Sequence, residues 1–93
     1  MREISQICGY LERIMQVLVE ISFFPMTEEY DSVIGEFITR LRSYSDVEVT
    51  VGQTSTVMQG EYQRLFQILE MECRKVLSER VKSALVIKIL NTA

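Results

Sequence analysis

Histidine and tryptophan are absent from the 93 residues, proline occurs once, glycine four times and cysteine twice. Without histidine there is no imidazole general base, no Ser-His-Asp or Cys-His nucleophilic set, and no imidazole ligand for zinc or iron. No catalytic residue, metal site or cofactor is therefore expected. Basic residues are also outnumbered: ten Lys and Arg face thirteen Asp and Glu, a formal net charge of −3. Because nucleic-acid affinity rests on phosphates neutralised by clustered Lys and Arg, a small molecule or another protein is the expected partner and nucleic acid is not.

Cys8 and Cys73 are far apart, with no CxxC spacing and no neighbouring ligand set, so two reduced thiols are expected. Arg2, Glu3, Glu12 and Arg13 break up the apolar residues of the N-terminal stretch, which lacks the apolar core of a signal peptide. A cytoplasmic protein with no membrane partner follows as the expectation. What the chain does have is 47% apolar and 25% charged residues, the makeup of one ordinary globular domain.

From Met1 to Met15 the residues Ile4, Ile7, Cys8, Leu11, Ile14 and Met15 recur at three- and four-residue steps, predicting a short helical extension, weakened by Gly9. Residues 16–93 form the expected domain. Gln16 to Phe24 alternates as a strand that Pro25 closes, with Val17, Val19, Ile21 and Phe23 on one face and Leu18, Glu20, Ser22 and Phe24 on the other. Thr27 is a fair N-cap for a helix over Glu28 to Tyr44, striped by Tyr30, Val33, Ile34, Phe37, Ile38 and Leu41.

Val47 to Val51 alternates with its valines inward. Gly52-Gln53 turns the chain, Thr54 to Gln59 returns as a third strand, and Gly60 ends it. A second helix is expected from Glu61 to Glu79 on the stripe Tyr62, Leu65, Phe66, Ile68, Leu69, Cys73, Val76 and Leu77, and Ser83 to Leu90 supplies a last strand. The order β-α-β-β-α-β defines an α+β class of ferredoxin-like type: a four-stranded antiparallel sheet, two helices on one face, plus the extra N-terminal helix. Whether Thr54, Thr56 and Met58 or Ser55, Val57 and Gln59 face the helices stays open, because the two sets are nearly equal in polarity.

This architecture hosts many functions, so the residues must decide. The third strand, TSTVMQ, lacks the aromatic and basic residues of an RNA-recognition domain. Phe23-Phe24-Pro25-Met26 stands where a metal carrier of this fold would place Cys-x-x-Cys. Val57 to Arg64 superficially resembles the phosphate loop of acylphosphatases, but it follows the third strand instead of the first, and Glu61 would repel a phosphate.

A closer resemblance lies in Ile21-Ser22-Phe23-Phe24-Pro25-Met26, then Tyr30-Asp31-Ser32-Val33-Ile34, then Thr54-Ser55-Thr56 with Gly60-Glu61 beyond. These segments, in this order, resemble the thiamin/hydroxymethylpyrimidine-binding family typified by YkoF, over about Val17 to Leu90. The resemblance implies a domain that binds thiamin or its pyrimidine half without transforming it, as a dimer or tetramer or as a tandem of such domains. The N-terminal extension is not part of that pattern.

An aminopyrimidine wants paired hydrogen-bond donors and acceptors, and a thiazolium wants a carboxylate or an aromatic face. The hydroxyls of Ser22, Thr54, Ser55 and Thr56, the carboxylates of Glu20 and Glu61, and the rings of Phe24 and Tyr30 form the candidate ligand-binding set. Glu20 is the sharpest of these, since a carboxylate in the middle of an apolar strand must meet solvent, a ligand or a partner. The alternative expectation is a structural or regulatory oligomerisation module of the same fold with no ligand.

Overall fold

The computed structural model describes residues 15–92. The expected N-terminal helix lies outside the described residues. The elements run β1 (Gln16–Pro25), α1 (Tyr30–Arg42), β2 (Glu48–Val51), β3 (Thr56–Glu61), α2 (Tyr62–Leu77) and β4 (Ser83–Asn91). Their strands form one sheet in the order β2-β3-β1-β4 with every neighbouring pair antiparallel, which is the ferredoxin-like arrangement.

Alternation in β1 does what it dictates. Val17, Val19 and Ile21 are buried beneath the helices, where they join Phe37 and Leu41 of α1, Met58 of β3, and Leu65, Ile68, Leu69 and Val76 of α2 in one core. Each such aliphatic or aromatic side chain contributes about 1.5–3 kcal/mol on leaving water, and this layer is the main source of stability. The register Ile21↔Thr56 and Val19↔Met58 settles the facing of β3: Thr56, Met58 and Gly60 point to the helices, Val57 and Gln59 to the open face.

Several element ends differ from the sequence expectation by one or two residues, and three of the differences have a visible cause. Thr27 does not cap α1; its hydroxyl accepts the Glu29 N–H at 3.3 Å in a turn that precedes the helix, and the first helical bond runs from Val33 N–H to the Glu29 carbonyl at 3.2 Å. The third strand begins at Thr56 instead of Thr54, because Gly52 N–H donates to the Ser55 carbonyl at 2.8 Å and holds residues 52–55 as the hairpin loop. Gly60 does not end that strand but lies within it, paired with Val17. A Cβ there would come within 2.9 Å of Val47 Cγ1, so the packing of Val47 against the sheet requires glycine at this position.

Helix α2 opens on Glu61, whose side chain accepts the Arg64 N–H at 2.6 Å, and closes on basic Arg74 and Lys75, each end matched to the helix dipole. The opposite face of the sheet has no helix among the described residues. It presents Leu18, Glu20, Ser22 and Phe24 from β1, Val57 and Gln59 from β3, and Val86, Lys88 and Leu90 from β4.

Candidate functional site

The shape of the site follows from where α1 crosses the sheet. Ile34, Phe37 and Ile38 project from α1 toward the β2–β3 hairpin, while Ile21 and Phe23 rise from β1 below them. Between these side chains and the hairpin loop lies a cleft of about 130 Å³ whose far wall is Gly52, Gln53, Thr54, Ser55 and Thr56. Its floor is apolar and three hydroxyl residues line its far wall, the pairing that a flat heterocycle with polar edges requires. Phe23 packs edge-on against Phe37 in that floor, ring centroids 5.1 Å apart.

The eight candidate ligand residues divide among three places. Thr54, Ser55 and Thr56 line the cleft, Thr56 being buried at its base. Tyr30 is exposed on α1, one turn before Ile34 and on the same helix face, which sets it beyond the cleft mouth. Glu20, Ser22 and Phe24 lie on the open face of the sheet, and β1 itself separates them from the cleft. Glu61 stands at the far end of β3, where its carboxylate is occupied by the α2 amide. Glu20 faces Lys88 directly across β4, with Lys88 Nζ 3.5 Å from Oε1, an exposed cross-strand ion pair.

Phe23, Phe37, Ile34 and Ile38 were legible only as core positions. Their place in the cleft depends on the crossing of α1, which strand alternation does not encode.

A buried carboxylate on α2 went unread in the sequence. Glu72 is 1% exposed, accepts the Tyr44 hydroxyl at 2.6 Å and the Arg40 Nε–H at 2.9 Å, and has Lys75 Nζ at 3.4 Å. Burial pushes its carboxyl up, but the hydrogen bonds from Tyr44 and Arg40, with the Lys75 ammonium, outweigh burial and hold it below the ordinary glutamate value. Tyr44 is correspondingly pushed up, first by its hydrogen bond to Glu72 and then by burial. The signal was present: Leu65, Ile68, Leu69, Glu72 and Val76 follow helical spacing, with a charge filling one apolar place.

Arg40 also borders a second cleft of about 140 Å³ between the two helices, with Phe23, Val33, Glu36, Val76, Glu79, Val81 and Ser83. Its guanidinium is committed to Glu72 and lies 5.9 Å over the Phe37 ring. Burial, followed by the Glu72 charge, pushes the Cys73 thiol up, away from the thiolate a nucleophile needs. Among the described residues no group of three or more Cys, Asp or Glu is placed to hold a metal ion, and no helix is long and apolar enough to cross a membrane.

No curated protein matches the chain. Several solved structures share its fold. A Thermotoga maritima protein assigned provisionally to thiamine biosynthesis or salvage superposes with a TM-score of 0.73 at 22% identity, covering 83% of this chain and 84% of its own. A hypothetical protein of Methanocaldococcus jannascii gives 0.73 at 18% identity over 86% and 84%. A Streptococcus pneumoniae protein gives 0.74 at 23% identity over 85% and 89%. At these identities the likeness is one of fold. Residues 16–89 match the YKOF-related family across every element of the sheet and both helices, and the chain belongs to that family.

Proposed function

We propose that this protein is a non-enzymatic, cytoplasmic binder of thiamin or its hydroxymethylpyrimidine half, working as a homo-oligomer. The observation that carries the reading is the cleft between α1 and the β2–β3 hairpin, where Thr54, Ser55 and Thr56 border an apolar floor of Ile21, Phe23 and Phe37. The three hydroxyls each offer a donor and acceptors to the ring nitrogens and amino group of an aminopyrimidine, and the Phe23 and Phe37 rings exclude water from its faces. The exposed Tyr30, one turn before Ile34 on α1, is the aromatic face this reading assigns to the more distant thiazolium.

The chain's acidic balance favours a cationic or neutral ligand over a phosphorylated one. Membership in the YKOF-related family and the thiamine assignment of the Thermotoga maritima relative support the same class of ligand. Self-association falls to the open sheet face, where Ser22 lies beside Val86 and Leu18 beside Leu90, and where the Glu20–Lys88 pair sets the charge pattern a second copy would meet. Glu61 contributes by capping α2. If the sheet face is the whole function, the protein is an oligomerisation module without a ligand; the exposure of Phe24 and Val86 favours that second reading.

Thermal unfolding with added thiamin, hydroxymethylpyrimidine or thiamin diphosphate separates the two. At a ligand concentration one hundred times Kd, binding adds about 2.7 kcal/mol, which raises Tm by roughly 10–20 °C for a domain of this size. A rise with the first two and a smaller one with the diphosphate is expected; an unmoved Tm with all three leaves the oligomerisation module.

A further inference from the structure

The two edges of the sheet differ in length and in chemistry. At one edge β2 has four residues and carries Glu48 and Thr50, short and polar in the way that keeps an edge unpaired. At the other, β4 has nine residues and is apolar on both sides. Val86 and Leu90 on the open side are 58% and 44% exposed, and Ile87 and Ile89 on the helix side 39% and 45%. Its one charge, Lys88, is turned to Glu20 of β1. Among the described residues nothing pairs with the outer edge of β4.

The pleat determines which backbone groups that edge offers. Met26 N–H donates to the Lys82 carbonyl at 2.8 Å, one step beyond the Pro25↔Ser83 pair. In an antiparallel ladder, directly opposed residues exchange bonds only at every second pair. The even-numbered residues Ala84, Val86, Lys88 and Leu90 therefore turn their N–H and C=O groups to β1. Ser83, Leu85, Ile87, Ile89 and Asn91 turn theirs outward. Pro25, which has no N–H to give, stands opposite one of these outward residues, in agreement with that parity.

Open backbone groups flanked by apolar side chains above and below are what an added strand satisfies. The strand that fits is β4 of a second copy. A two-fold axis normal to the sheet pairs residues whose numbers add to a constant, and the constant must be even, since an odd one would set a helix-side residue against an open-side one. An axis at Ile87, the middle of Ser83–Asn91, pairs the whole strand. Ser83 then opposes Asn91, Leu85 opposes Ile89 and Ile87 opposes its own copy, and every one of these bonds outward. Lys88 falls against Val86 of the second copy. An axis at Lys88 instead would set two ammonium groups directly opposite each other and take Ser83 and Ala84 out of the pairing.

We propose that two copies of this chain join edge to edge through β4, centred on Ile87, so that their four-stranded sheets continue as one antiparallel sheet. The proposal rests on the reading of the protein as a homo-oligomer, and it names a contact separate from the open sheet face. The two open faces merge into one wider surface, so edge pairing and face packing are compatible in one assembly.

Single cysteines read the register. Each is placed in the full chain carrying Cys8→Ala and Cys73→Ala, followed by mild oxidation with copper phenanthroline. Opposed residues of a bonded pair lie about 5.5 Å apart at Cα, within reach of a disulfide. Ile87→Cys should give a covalent dimer on a denaturing gel. Leu85→Cys and Ile89→Cys should each stay monomeric alone and link when mixed. In sedimentation velocity Ile87→Pro, which deletes an outward N–H that β1 does not use, should halve the mass of the parent assembly, whereas Ile87→Thr, which keeps the N–H, should not. Circular dichroism checks the fold of Ile87→Pro, and the cysteine set decides alone if that variant unfolds.

A parent that sediments as a monomer overturns both this contact and the homo-oligomer reading. An oligomeric parent in which Ile87→Cys stays unlinked, or in which folded Ile87→Pro keeps the parent mass, overturns the edge contact alone. Linkage through Lys88→Cys in preference to Ile87→Cys overturns the register.

Discussion

The Tyr44 hydroxyl donates to Glu72 Oε2 at 2.6 Å, joining the residue just past α1 to the middle of α2 across 28 positions of sequence. With Arg40 on the other carboxylate oxygen, this bond fixes how far apart the two helices sit. The spacing determines where Phe37 lies over Phe23, and so the floor of the cleft. Tyr44→Phe removes a hydrogen bond to a buried charge and should lower stability by about 1.5–3 kcal/mol in urea unfolding. Glu72→Leu removes the charge as well, yet strands the Arg40 and Tyr44 donors, which still reach solvent; its cost should be no larger than that of Arg40→Met, which leaves Glu72 buried with one partner fewer.

The same cluster sets the acid limit. The Glu72 carboxyl is lower in the folded state than in the unfolded chain, so its contribution is complete above the unfolded value of about 4.3 and is lost as pH falls through the folded value. Asp46, held down by the Arg64 hydrogen bond, adds in the same direction. Unfolding midpoints measured between neutral pH and about pH 3 should therefore fall on the acid side, and the fall should be shallower in a Glu72→Gln variant. An equal slope in the two proteins would assign the acid sensitivity to other carboxylates.

Gly60→Ala places a methyl 2.9 Å from Val47 Cγ1 in the core beside β2. Overpacking of this kind costs about 1–3 kcal/mol. Adding Val47→Ala opens the space again, so the double variant should be more stable than the sum of the two single effects requires, with a favourable coupling of about 0.5 kcal/mol or more in a double-mutant cycle.

Much of the fold was legible because its strands and helices obey single periods. Val17, Val19, Ile21 and Phe23 alternate, and the stripes of α1 and α2 keep to three and four. Where two periods or two roles compete at one residue, the local pattern does not determine its place. Gly60 looked like a terminator because glycine usually interrupts a strand; its reason for being in one is the Val47 side chain, a contact across the sheet edge. Glu72 cannot be recognised as buried from its own helix because its partners, Arg40 and Tyr44, come from α1 and the residues just past it. Thr54, Ser55 and Thr56 were legible as hydroxyls before a glycine, whereas grouping them with Glu20, Ser22 and Phe24 failed on pleat geometry. Residues that look adjacent on neighbouring strands lie on opposite faces when the register differs by one.

Glu20 and Lys88 are exposed cross-strand partners. Glu20→Gln should change stability by less than about 1 kcal/mol, the ordinary range for exposed pairs. Its effect on self-association is the informative quantity. Val86→Glu, beside it on the open face, should shift the oligomer toward monomer in sedimentation velocity with the circular dichroism spectrum intact. If both variants sediment as the parent does, the sheet face is not the assembly surface.

Calorimetric titration of hydroxymethylpyrimidine and of thiamin into the parent protein and into Thr56→Val tests the cleft most directly. Thr56 is buried at its base, so losing one hydroxyl partner should weaken binding about tenfold, near 1–1.5 kcal/mol, with folding preserved. Saturable heat in the parent that is reduced in Thr56→Val and unchanged in Glu20→Gln is the predicted result. No heat with millimolar ligand, or equal affinity in the parent and Thr56→Val, would contradict ligand binding in the cleft between α1 and the β2–β3 hairpin.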